Sequence, residues 1–228
     1  MKLRRFVGDR RRARLAGGAP PGPIRRYLDT PPPDPSTDVS ELRLLAVDLE
    51  TTGLDPRTDR ILAVGFVPVD GVAIDLSGAS QLICHTDAEV GQSAAVHGIT
   101  DDALAAGDEP RDVLERVADA LTGRVLLAHH AAIETGFLSA ASERVFGVPL
   151  PMTTVDTMQL HARILGSHTG DDLPPGALRL WTARDHLGLP QYAAHRALTD
   201  ALACAELYLA QVSRLAGGRG MTLRRLQR

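Results

Sequence analysis

Cysteine is almost missing from this chain: Cys84 and Cys204 are the only two in 228 residues. Two thiols exclude a disulfide-stapled scaffold. Their places in an expected strand and an expected helix read as buried, reduced side chains of a cytoplasmic protein. Long apolar runs are missing too. None approaches the roughly 20 residues that carry a helix across a bilayer, so no membrane is expected. The opening Met1-Lys2-Leu3-Arg4-Arg5-Phe6-Val7 is basic but has no apolar stretch behind it, so no secretory signal is expected either. Aromatic residues make up only 4%, and the sole tryptophan, Trp181, reads as core, as do Phe137 and Leu138. No internal repeat is visible, which argues against a solenoid. The length fits one α/β domain with a full core.

The formal net charge is −3, but it is unevenly spread. Residues 1–40 hold nine Lys/Arg against four Asp, and the C-terminal end adds Arg214, Arg219, Arg224, Arg225 and Arg228 without an acid. The stretch between is therefore strongly acidic. Basic ends on an acidic body suit arms that attract a polyanion beside a cation site; equally, they solubilise the chain. Composition divides the chain into a basic, Pro/Gly-rich N-terminal extension (1–40), a catalytic-type domain (41–216) and a basic C-terminal tail (217–228). The extension breaks at Gly17-Gly18-Ala19-Pro20-Pro21-Gly22-Pro23, and Pro31-Pro32-Pro33-Asp34-Pro35 favours an extended linker.

The run Leu42-Arg43-Leu44-Leu45-Ala46-Val47-Asp48-Leu49-Glu50 is apolar on both faces until the acids appear. That is the pattern of a central strand covered on both sides. A strand over 61–69 follows, then Asp70-Gly71 as a hairpin turn into a third strand over 72–85 with a kink at Gly78. These three make an antiparallel meander. Beyond it, Val113, Leu114, Val117 and Leu121 after Pro110 mark a helix over 111–121. A short buried strand over 125–128 and helices over 132–146, 155–165 and 177–187 come next. Leu198, Ala201, Leu202, Ala205, Leu209 and Val212 draw one face of a last long helix. The order predicts an α/β fold: a mixed five-stranded sheet, meander plus parallel strands, flanked by helices.

Asp48 and Glu50 are two apart on a strand, so their side chains leave the same face. Unpaired carboxylates at the end of an apolar central strand are costly, so the pair needs cations, either Arg and Lys partners or metal ions. Thr51-Thr52-Gly53 beside it favours metal, because hydroxyls and a glycine let a ligand approach the backbone. His195 and Asp200 stand five apart, which on a regular helix sets them about 140° from each other. They share a site if His195 precedes the helix and Asp200 lies in its first turns. Asp200 then faces Asp48 and Glu50, with His195 above it; histidines titrate near neutral pH and can take a proton from water.

With His97-Gly98-Ile99-Thr100 and His129-His130-Ala131-Ala132-Ile133-Glu134 between them, these segments form an ordered set. It resembles the DnaQ-like 3′–5′ exonucleases of the DEDDh type over about residues 42–213. The resemblance implies a ribonuclease-H-like fold and two Mg²⁺ or Mn²⁺ ions held by Asp48, Glu50 and Asp200. It implies that Glu134 supports the second ion and that His195 is the general base. It further implies that Thr51, Thr52, Gly53, Leu54, Gln92, His97 and His130 contact the substrate, Leu54 packing on the base and His97 on the 3′ end. The implied activity is removal of nucleoside 5′-monophosphates from 3′ ends of single-stranded DNA or RNA, with DNA favoured. A polymerase or repair complex and a homodimer are the partners compatible with it.

The family's second motif, typically His-Asn-Ala-x-Phe-Asp, is altered here: Glu134 replaces the Asp, His130 the Asn and Ile133 the Phe. Gln92 stands where proofreading relatives place an acid. His130 and Glu134 are also i and i+4, a spacing that on a helix can bind one transition metal. A catalytically weakened nucleic-acid-binding adapter of the same fold is the alternative that Glu134 raises. Asp156 reads as a helix cap and not as a ligand.

Overall fold

The apolar run ending in Asp48 and Glu50 forms strand β1 (Arg43–Thr51), and its surroundings explain why both of its faces are apolar. The structure, a computed structural model, describes residues 2–86, 98–167, 169–217 and 220–228, with side chains from Arg10 onward. Strand β2 (Ile61–Asp70) pairs antiparallel with β1 along its length. Strand β5 (Val125–Ala128) runs parallel to β1, and β6 (Thr154–Asp156) parallel to β5. Two short strands, β3 (Ala73–Ile74) and β4 (Ser80–Ile83), both pair with β2. The sheet order is β3-β2-β1-β5-β6, with β4 also on β2, so β1 is central.

Leu45 and Val47 of β1 pack with Val113, Val117, Phe137 and Leu138 from helices α4 (Pro110–Leu121) and α5 (Ala132–Phe146). Leu44 and Ala46 pack on the opposite face with Cys204, Ala205 and Tyr208 of the last long helix, α8 (Ala197–Ala216). Each such fully buried aliphatic or aromatic side chain contributes about 1.5–3 kcal/mol. Cys84 and Cys204 are buried free thiols, and burial pushes Cys84 up to about 11. Among the described residues, no helix is long and apolar enough to cross a membrane.

Two local features turn the four strands located in the sequence, one short of the expected five, into six among the described residues. The expected third strand is split into β3 and β4 by a 3₁₀ turn, Leu76–Gly78. The cause lies in β2: Pro68 has no N–H to give a neighbouring strand. Its ring also fills the place of any side chain at Gly78, where a Cβ would lie 2.7 Å from Cγ of Pro68. The second feature is β6, over residues that read as the start of a helix. Val155 is buried beside β5, and helix α6 (Thr157–Ile164) starts only after Asp156, whose carboxylate caps it by accepting the Met158 N–H at 2.9 Å. The helix expected over 177–187 shortens to α7 (Leu180–His186), because Gly176 has a left-handed φ of 83° and turns precede it. Trp181 is half-buried at the start of α7 instead of lying in the core.

Both basic ends pack on the domain they flank. Helix α2 (Pro23–Asp29) buries Ile24, Tyr27 and Leu28, and it lies against α4. From helix α1 (Lys2–Gly18), Arg12 donates to the carbonyls of Pro151 (2.9 Å), Thr30 (3.0 Å) and Tyr27, with its guanidinium 4.7 Å from the Tyr27 ring centre. At the other terminus, the Val39 N–H donates to Met221 O at 2.9 Å and the Leu223 N–H to Thr37 O at 3.0 Å. Met221, Leu223 and Leu226 are buried in the cluster that holds Leu42 and Tyr208.

Candidate active site

Asp48 and Glu50 continue the row of Leu44 and Ala46, so both face α8. In the register with β2, Asp48 stands opposite Gly65 and Glu50 opposite Ala63. Gly65 is where the first turn of α8 comes down on the sheet. A Cβ there would lie 2.1 Å from the Ala197 carbonyl carbon and 2.2 Å from the Leu198 nitrogen. Only glycine leaves room for that approach, and the approach carries Asp200 to the two strand acids. Sequence reasoning missed Gly65, although a glycine inside an otherwise apolar strand is a signal of close backbone approach. The fourth acid, Glu134, comes from the first turn of α5, just beyond β5.

The cluster is poor in compensating charge. Glu134 and Asp200 are 4% and 8% exposed, and Oε2 of Glu134 and Oδ1 of Asp200 are buried without a hydrogen-bond partner. Among the described residues, no Lys or Arg makes an ion pair with any of the four acids. Burial pushes Asp48 well above the usual carboxylate range, and the charges of Glu134, Asp200 and Glu50 add to it. Burial and then Asp200 raise Glu50 to about 7. Burial raises Glu134 to about 8, with a backbone hydrogen bond opposing and Asp156 adding. Burial also raises Asp200, against the lowering effects of the His195 N–H, the His195 ring and Arg184.

Four mutually repelling carboxylates with oxygens left over are a donor set for hard divalent cations. Among the described residues, no three His, Cys, Asp or Glu side chains stand close enough to enclose an ion as placed.

His195 is exposed and lies in the loop before α8, with Arg196 at the N-cap. Its backbone N–H donates to Oδ2 of Asp200 at 3.0 Å. Among the described residues, His130 (φ 75°) and His195 (φ 63°) are the only non-glycines in the left-handed region. That conformation costs about 1–2 kcal/mol and is held by neighbours at functional sites. For His130 the neighbour is Asp156, whose two carboxylate oxygens accept the N–H groups of His130 and Ala131 at 3.0 Å each. Asp156 is thus the expected cap and also the anchor of the turn that delivers Glu134, a role the sequence did not disclose. His130 precedes α5 in a left-handed turn, so the helical i, i+4 pair with Glu134 is not formed. His129 is structural: its ring contacts Thr157 Oγ1 at 2.9 Å and Leu178 O at 2.7 Å.

The Thr51-Thr52-Gly53 segment serves its own loop. Thr51 Oγ1 donates to Gly53 O at 2.6 Å, and Thr52 Oγ1 donates to Asp59 Oδ1 at 3.1 Å. Asp59 fills the space beside Gly53, where a Cβ would be 2.5 Å from Oδ2. The loop leaves Leu54 80% exposed at its tip. A cleft of about 300 Å³ opens from Glu50 and is lined by Ala63, Ile83, Ile99, Thr100 and Arg196. Arg196 and Ile99 were not foreseen as part of it. Gln92 and His97 lie outside the described residues.

The model of the RNase T family, described as exonuclease, matches residues 45–208. DNA polymerase III subunit epsilon of Treponema pallidum (strain Nichols) is 32% identical over 173 residues, covering 74% of this chain and 75% of that protein. The PolC-type DNA polymerase III of Thermotoga maritima is 29% identical across 82% of this chain, which spans only 13% of that protein. Among solved structures, the nuclease domain of 3′hExo, a DEDDh family member bound to rAMP, superposes with a TM-score of 0.66 at 16% identity. That match covers 81% of this chain and 98% of the other. E. coli Exonuclease I in complex with a dT13 oligonucleotide gives a TM-score of 0.66 at 18% identity, over 76% of this chain and 42% of the other. The sheet and its flanking helices have the fold of these nucleases, and the chain belongs to the RNase T exonuclease family.

Proposed function

We propose that the chain is a metal-dependent 3′–5′ exonuclease that removes nucleoside 5′-monophosphates from single-stranded nucleic acid, with DNA favoured. The observation that carries this reading is the cluster of four carboxylates drawn from β1, α5 and α8, Glu134 and Asp200 buried and Asp48 and Glu50 half-buried, with no cationic side chain as ion-pair partner among the described residues. Asp48, Glu50 and Asp200 would hold two Mg²⁺ or Mn²⁺ ions, with Glu134 supporting the second. When bound, the ions supply charge stabilisation to the phosphoryl oxygens and the departing 3′ oxygen.

The chain's own residues do the rest. The His195 ring takes the proton from the attacking water, while its backbone N–H stays on Asp200. The water oxygen attacks the terminal phosphorus, and the bond to the 3′ oxygen of the preceding nucleotide breaks. Leu54 offers an exposed apolar surface to the terminal base, and Arg196 brings a positive charge to the cleft beside Glu50. The polymerase names of the relatives and the oligonucleotide in Exonuclease I support a DNA substrate, with a polymerase complex as the setting.

A nucleic-acid-binding adapter is the second reading. The observation behind it is Glu134, a longer acid than the family's aspartate that burial raises to about 8. Single-stranded DNA and RNA of one sequence, each 5′-labelled, separate the two readings in the presence of Mg²⁺ or Mn²⁺. A ladder shortening one nucleotide at a time from the 3′ end supports the exonuclease; retained binding with no cleavage by either metal supports the adapter.

A further inference from the structure

Among the described residues, Arg184 heads the largest side chains that the fold buries completely, and the proposed reaction gives it no part. A buried guanidinium is costly unless its charge and donors are met, and here only Nε lacks a hydrogen-bond partner. Nη1 donates to Ala203 O at 2.7 Å, and Nη2 donates to Pro190 O at 2.7 Å and to Glu206 Oε2 at 2.8 Å. The guanidinium carbon lies 4.8 Å from the Tyr192 ring centre and 5.5 Å from that of Trp181. The Tyr192 hydroxyl donates to Glu206 Oε1 at 2.9 Å, and Gln191 Nε2 donates to Trp181 O at 3.2 Å.

These contacts join three pieces of chain. Arg184 and Trp181 belong to α7, and Ala203 and Glu206 to α8, the helix of Asp200. Pro190, Gln191 and Tyr192 open the segment that ends at His195. That segment is therefore tied twice, by Arg184 and its partners at 190–192 and by Asp200 at the His195 N–H. Only Ala193 and Ala194 lie between the ties, and a methyl group gives neither a further anchor. His195 holds a left-handed φ of 63°, a conformation that surrounding structure must impose.

We propose that Arg184, with Glu206 and Tyr192, is a positioning clasp that sets where the His195 ring stands over the carboxylate cluster. It touches neither substrate nor the reacting atoms, and the inference rests on His195 acting in the proposed reaction. A base misplaced by about 1 Å costs turnover on the order of 100-fold while substrate binding is largely kept. The clasp therefore acts on kcat and not on KM.

The test uses the full chain with Tyr192→Phe, Arg184→Met and Arg184→Lys. Tyr192→Phe keeps the ring on Arg184 and removes only the hydroxyl, so it carries the test if Arg184→Met does not fold. Tyr192→Phe and Arg184→Met are expected to lower kcat by about 10-fold or more, with KM changed less than about twofold. Arg184→Lys recovers only part, because an ammonium cannot reproduce the planar fork. Amide hydrogen exchange over 190–196 is expected to quicken in Tyr192→Phe and Arg184→Met while β1 and β2 keep their protection. Unchanged exchange over 190–196, or faster exchange with unchanged kcat, overturns the proposal. A wild-type chain that cleaves nothing is a failure of the exonuclease reading, seen apart from the exchange result, and it overturns the clasp's role in turnover too.

Discussion

The backbone N–H of His195 donates to Oδ2 of Asp200 at 3.0 Å. This bond settles how residues five apart, which a regular helix would point in different directions, come to one site. Asp200 lies in the first turn of α8 and reaches back to hold the loop before its own helix, so His195 and Asp200 form one unit. Oδ1 of Asp200 is left buried and unpartnered, free for a cation.

Replacing that carboxylate by its amide separates the two duties of Asp200. Asp200→Asn keeps an oxygen to accept the His195 N–H and removes one of four repelling charges. Turnover should fall on the order of 1000-fold, since a metal ligand contributes several kcal/mol of charge stabilisation. The melting temperature in chelator should hold or rise. Single-turnover kinetics and thermal melts check both; an active Asp200→Asn contradicts the assignment.

The raised carboxyls make stability depend on pH in an unusual direction. Glu50 and Glu134 have ordinary values of 4.5 but are held at about 7 and about 8 in the folded chain, and Asp48 and Asp200 are raised as well. Between about pH 4.5 and pH 8 the folded state keeps protons that the unfolded state has released, so stability falls as pH rises through that window. Below it, both states are protonated and the penalty vanishes. In chelator, melting temperature should decrease from about pH 5.5 to about pH 8, with Mg²⁺ restoring more at the higher pH. A melting temperature that ignores Mg²⁺ at both would count against the cluster as a cation site.

Gly65 is the hinge of the geometry between sheet and α8. Gly65→Val should push the helix off β2, because the new Cβ would meet Ala197 and Leu198 backbone at 2.1–2.2 Å. The expected cost is about 1–3 kcal/mol of stability and a loss of turnover greater than the stability change explains. Denaturant melts alongside kinetics on the folded variant test this, and wild-type turnover would contradict it.

Asp156 should matter without touching substrate. Asp156→Ala frees the N–H groups of His130, Ala131 and Met158 together. The expected destabilisation is about 1–3 kcal/mol, and Glu134 loses its fixed approach. Asp156→Asn, which retains one acceptor oxygen, should recover part of both stability and turnover; equal losses in the two variants would speak against the anchoring role.

Much of this site was legible in the chain because its logic is local. Asp48 and Glu50 break an apolar strand, and His195 precedes a clean helical stripe, so strand and helix periodicity alone place them. What was illegible depended on contacts between distant segments. Nothing near Gly65 announces that a helix more than a hundred residues later lies on it. Nothing near Asp156 shows that it holds the turn at His130. The split third strand followed from Pro68, which sits on a different strand from the break it causes. The hydrogen bonds that Thr51 gives Gly53 and Thr52 gives Asp59 were likewise not legible, because they depend on how the loop folds back on itself.

Calorimetric titration of Mn²⁺ into the chain at pH 7, repeated in buffers of different ionisation enthalpy and with Asp48→Asn, tests the carboxylate cluster most directly. The expected result is saturable binding that releases protons, because Glu50 and Glu134 are still partly protonated there, with binding lost or greatly weakened in Asp48→Asn. Binding without proton release, binding indifferent to Asp48→Asn, or no binding at all would contradict it.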